Sequence, residues 1–78
     1  MVSYKIGTVN AYYAKLSMMA VDLTADLHLK DIIIIKNQEL IIKEIKSEYL
    51  RIDRAKKGDT VVINADFPVA IGDELVRT

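Results

Sequence analysis

The chain has 78 residues, no cysteine, and 11 basic side chains against 11 acidic ones. That length supports one small domain, residues 1–78, which removes only about 60% of its unfolded surface from water, and the absence of cysteine excludes disulfides, thiolate metal sites and a cysteine nucleophile. A hydrophobic content of 51% with 28% charged residues is that of an ordered globule, while a net charge of zero argues against a dedicated, high-affinity nucleic-acid binder, which needs an excess of lysine and arginine to neutralise phosphates.

The first residues, Met1-Val2-Ser3-Tyr4-Lys5, lack the basic, apolar and small-residue regions of a signal peptide. Tyr4 to Val9 suits a first strand, with Gly7 allowing a bend or a close backbone approach, and Asn10 to Lys15 reads as a polar, aromatic connection. Leu16 to Leu23 reads as a second strand buried mainly through Met19, Val21 and Leu23, followed by a turn at Thr24-Ala25-Asp26. Leu27 and Leu29 alternate with His28 and Lys30 and lead into the strand Ile32 to Ile35, which is far too short to span a membrane. A cytoplasmic protein without membrane contact is the expectation. Lys36-Asn37-Gln38-Glu39 then reads as a polar hairpin turn, with the next strand starting at Leu40.

Between Leu40 and Lys57 two readings compete. Ile41, Ile45, Tyr49 and Ile52 recur at helical spacing, whereas the β-branched start and the Gly58-Asp59 end favour a strand from Leu40 to Ser47 with a turn of helix or a loop near Asp53 to Lys57. Strands are expected again at Thr60 to Ala65, Val69 to Ile71 and Glu74 to Arg77, with Pro68 where a strand must end.

Two Gly-Asp pairs, Gly58-Asp59 and Gly72-Asp73, each open a short apolar stretch, and Lys30-Asp31 repeats the pattern without the glycine. Glycine tolerates the positive φ of a tight turn and aspartate can bond backbone amides just after the bend. A lysine at position 30 must either avoid positive φ or sit there under strain. Repeated turn-then-strand units give an all-β fold, expected as a closed barrel of six to seven short strands with one short helical turn at most.

The order Gly7-x-Val9, Tyr12-Tyr13, Ala20-Val21-x-Leu23, Asp31 to Ile35, Ile45-Lys46-Ser47, Ala55-Lys56-Lys57-Gly58-Asp59 and Gly72-Asp73-x-Leu75-Val76 resembles the β-barrel second domain of translational GTPases of the elongation factor Tu and initiation factor 2 type. It is similar also to short stand-alone elongation-factor-like proteins. The resemblance implies a non-catalytic barrel that binds a translation component, the ribosome, an RNA or another factor. Lys30-Asp31, where that family has Gly-Asp, and a short stretch between Ser47 and Ala55 depart from the pattern.

No phosphate loop and no guanine-reading motif is present, so no nucleotide, cofactor or metal is expected and enzymatic activity is not. His28 has no triad spacing to Ser3, Ser17 or Ser47, and Asp22, Asp26 and Asp31 lack the dense spacing of a calcium loop. Lys5, Tyr12, Tyr13 and Lys15 form the one aromatic and basic constellation suited to RNA or to a protein partner, weighed against a tyrosine that caps the barrel and another exposed by chance. Alternate residues of a strand face opposite ways, so half of the isoleucine run must point outward. Ile32, Ile34, Leu40 and Ile42 are therefore the candidate protein interface, for a homodimer or a larger partner, in an interaction or assembly module unrelated to translation.

Overall fold

A three-residue link decides the shape of this molecule. In the computed structural model, which describes residues 4–48 and 50–77, the strands are β1 (Tyr4–Tyr13), β2 (Met18–Leu23), β3 (Leu27–His28), β4 (Ile32–Ile35), β5 (Gln38–Ile41), β6 (Ile45–Ser47), β7 (Leu50–Ile52), β8 (Arg54–Ala55), β9 (Thr60–Asn64) and β10 (Glu74–Arg77), with a 3-10 turn at Ala14–Leu16. Eight of them form one sheet in the order β5-β4-β10-β1-β2-β9-β6-β7, and β3 pairs with β8. If the sheet were flat, β5 and β6 would lie six strand spacings apart, about 29 Å. The chain between Ile41 and Ile45 spans at most about 14 Å. The sheet must therefore curl until its two ends approach each other.

It does not close. No ladder joins β5 to β6 or β7 among the described residues, so the expected closed barrel of six or seven strands is instead an open, strongly curled half-barrel. Its strands are more numerous than expected because the long segment after Leu40 breaks at residues 42–44, at the Glu48 turn and at Asp53. The helical stripe is not realised there. Ile45 and Ile52 are cross-strand partners on neighbouring strands, and Tyr49 lies outside the described residues. Asn10 to Tyr13, expected as a connection, continues β1, while Val69 to Ile71 is irregular rather than a strand.

The core fills the concave side. Ile6, Val9, Met19, Val21, Ile33, Ile35, Ile45, Ile63 and Leu75 are almost completely buried; within β2 and β4 they alternate along the strand, while the bulged β1 buries Ile6 and Val9, three residues apart. The pairing of β1 shifts register between Lys5 and Gly7, and a Cβ on Gly7 would lie 2.6 Å from Val21 Cγ1 and 3.1 Å from the Asp22 carbonyl oxygen. Glycine is needed there for close approach, as the sequence suggested. None of the helices among the described residues is long and apolar enough to cross a membrane.

The three aspartate turns have one geometry. The Asp31, Asp59 and Asp73 carboxylates accept the amides of His28, Lys56 and Ala70, three residues back, at 2.9, 3.0 and 2.8 Å. The aspartate amides in turn donate to the carbonyls of those same residues. The carboxylate thus secures the residue before the bend rather than the one after it. Each turn also docks on a distant backbone position, in a strand for two of them and in the 42–44 link for the third: the amides of Lys30, Gly58 and Gly72 donate to the carbonyls of Ile42, Leu23 and Val9, whose own amides donate to the carbonyls of Asp31, Asp59 and Asp73. Gly58 and Gly72 have φ of +94°, and Lys30 adopts +72° in the same role. The lysine accepts a conformation that favours glycine.

Candidate interaction face

Where the backbone ladder runs out, one side chain takes over. Asn64, at the end of β9, is the one buried polar residue among the described residues. Its Oδ1 accepts the Lys43 amide at 2.8 Å, and its Nδ2 donates to the Ile41 carbonyl at 3.0 Å and to Asp66 Oδ1 at 3.1 Å. Asn64 thereby ties both sides of the link between β5 and β6 to β9, which holds the curl without a continuous ladder. Asp66 pairs with Lys43 at 3.1 Å. The Asn64 amide first, then Lys43, holds the Asp66 carboxyl below the ordinary carboxylate range.

Beside this seam lies a shallow cleft of about 200 Å³, floored by Ile45 and Ile52 and flanked by Glu44, Arg51 and Asp53. Glu44 Oε2 is shut off from solvent without a well-directed hydrogen bond, and Lys46 Nζ at 3.2 Å and Arg51 Nε at 3.3 Å balance its charge. The carboxylate is thus committed to two cations of its own chain.

The outer face of β4 and β5 is a different environment. The two-residue turn Lys36-Asn37, with φ of +53° and +65°, pairs Ile35 with Gln38, Ile33 with Leu40 and Ile32 with Ile41. Direct partners share a face. Because Ile33 and Ile35 point into the core, Leu40 does too, and Ile42 lies two positions further along. Leu40 and Ile42 are 1% and 0% exposed, which removes both from the surface expected of them. Ile41 stands in their place, 48% exposed beside Ile32 at 54%. Ile34 is half-buried and opposes Glu39 on one side and Val76 on the other.

Lys5, Tyr12, Tyr13 and Lys15 are not one constellation. Since β1 runs unbroken from Tyr4 to Tyr13, Lys5 stands about 23 Å from Tyr12 along the strand. Lys5 pairs with Glu74 at 3.1 Å. Tyr12 packs against the core while Tyr13, the next residue, is exposed, so the two rings face opposite ways. Lys15 sits in the 3-10 turn. The acidic trio also has separate duties: Asp22 accepts from Thr60 and Asn10, Asp26 from the Lys57 amide, and Asp31 from Arg77 at 2.8 Å. His28 Nδ1 lies 3.9 Å from Asp31 Oδ2. Of the serines considered with it, Ser3 lies outside the described residues.

No protein-family model matches the chain, and no curated protein sequence does. Solved structures match. The crystal structure of the selenomethionine variant of the C-terminal domain of a Geobacillus thermoleovorans protein named as a U32 peptidase superposes with a TM-score of 0.87 over 96% of this chain and 99% of that one, at 17% identity. A second crystal structure of that C-terminal domain gives 0.85, covering 90% of this chain and 86% of that one, again at 17% identity. What is shared is the fold. These neighbours overturn the resemblance to the translation-factor barrel, and the translation and RNA-binding readings fall with it. The motifs that carried the resemblance encode aspartate-closed turns and core positions, and an open half-barrel needs those as much as a closed barrel does.

Proposed function

We propose that this half-barrel is an accessory interaction module that binds protein through the outer face of the β4–β5 hairpin. The observation that carries the reading is the exposed Ile32–Ile41 pair, set side by side across two strands at one end of the sheet. Scattered apolar side chains on a surface are ordinary, but adjacent β-branched ones with Ile34 beside them form a continuous apolar strip of the kind that marks a contact surface. The neighbouring solved domains are themselves the C-terminal parts of a larger protein, which supports the same reading.

Replacing Ile32 with a photo-cross-linking amino acid tests this in native cell extract, with the same replacement at Lys57 as control. The expected result is one adduct of defined mass from position 32 that Ile41→Glu abolishes. Equal labelling from both positions would remove the proposal.

A further inference from the structure

One row of side chains crosses the outer face with opposite charges at its ends. Glu39 on β5 opposes Ile34 on β4, Ile34 opposes Val76 on β10, and Val76 opposes Lys5 on β1. Direct partners in antiparallel pairs point the same way, so the row reads acid, apolar, apolar, base. Glu39 and Lys5 are exposed, and Ile34 and Val76 are half-buried between them.

We infer that the occupant of this face is a second copy of the chain, packed face to face about a twofold axis parallel to the strands; the inference rests on the proposed interaction module. That rotation reverses the row. It sets Glu39 opposite the second copy's Lys5, Ile34 opposite its Val76, and repeats both contacts by symmetry. A twofold axis along the row would instead set Glu39 against Glu39 and Lys5 against Lys5, which like-charge repulsion disfavours. Charge therefore selects one of the two in-plane axes.

The curvature fits this choice. The outer face of a curled sheet is convex, so two copies meet at the middle of the row and diverge at its ends. Short apolar side chains sit at the middle, and the long, flexible glutamate and lysine sit at the ends where a gap must be bridged. Lys5 already holds Glu74 at 3.1 Å, but an ammonium group has three donors and can serve both carboxylates. The apolar centre is small beside the roughly 800 Å² per partner of a stable interface, so a dimer of micromolar rather than nanomolar strength is expected.

Sedimentation of the full chain over a range of concentrations tests the inference. A reversible monomer–dimer equilibrium is expected, weakened about tenfold or more by Glu39→Lys alone. In a Glu74→Gln background, where position 5 meets no like charge from its own chain, Glu39→Lys with Lys5→Glu is expected to recover the dimer to within about threefold. Far-ultraviolet spectra check that each variant is folded, and Ile34→Ser serves if a charge variant is not. A chain that stays monomeric at high micromolar concentration, or a dimer indifferent to both Glu39→Lys and Ile34→Ser, would overturn the second-copy inference. Specific cross-linking from position 32 to a different protein would then leave the interaction module standing, whereas its absence would remove both.

Discussion

Two regions of this sheet hold their shape by different means. Between β1, β2 and β9 the backbone does the work: Tyr12 pairs with Met19 and Met19 with Ile63, and the register runs on from Met18–Asn64 to Asp22–Thr60. At the link between β5 and β6 there is no such ladder, and Asn64 bonds the Ile41 carbonyl and the Lys43 amide instead. A ladder spreads its stability over many equivalent bonds, so losing one matters little. The seam rests on fewer bonds: the Asp31 turn holds both backbone groups of Ile42, and one buried amide, Asn64, holds the Ile41 carbonyl and the Lys43 amide, which its removal strands together.

The contrast can be broken at both ends. The largest effect is expected from Ile42→Ala, which empties a fully buried position beside the seam. It should cost about 3–4 kcal/mol in urea unfolding, and an equal cost for an exposed residue such as Ile32→Ala would contradict the assigned faces. Asn64→Ala should follow at about 2–3 kcal/mol. Its signature is local: hydrogen exchange at Lys43 should quicken far more than at Met19, and uniform acceleration would mean that the seam is not a separate unit.

Smaller changes sharpen the picture. Lys30→Gly relieves the one aspartate-closed turn that carries a side chain at positive φ, so a gain of about 0.5–1 kcal/mol is expected. The matching change at Gly58, Gly58→Lys, should lower stability. The smallest effect concerns acid. The Asp66 carboxyl is depressed in the folded state, so its contribution is present above its unfolded pKa and is lost as pH falls through the folded value. Exposed as it is, it should contribute less than about 1 kcal/mol, measured as the difference between the pH–stability curves of the wild type and Asp66→Asn below pH 4.

Turns were the most legible part of the sequence. The Gly-Asp pairs announced themselves because backbone conformation at glycine and a carboxylate three residues from its amide are local matters. The alternation within Ile32 to Ile35 was legible for the same reason, since successive strand residues always face opposite ways. The assignment of Leu40 and Ile42 to the surface failed at the hairpin: the turn comprises Lys36 and Asn37 alone, and the pairing of Ile33 with Leu40 puts both on one face. The basic and aromatic group failed for a length reason, because β1 runs straight through the segment taken as a connection and separates its members.

By itself, then, the sequence determined an all-β chain with aspartate-closed turns and an isoleucine strand that must expose one side. Whether the sheet closes was settled by tertiary structure, since short-range pattern says nothing about which strands meet. That depended on a link of three residues between the first and seventh strands of the sheet and on Asn64, a polar residue at the end of an apolar strand, which satisfies the backbone groups that an unclosed ladder would leave without partners.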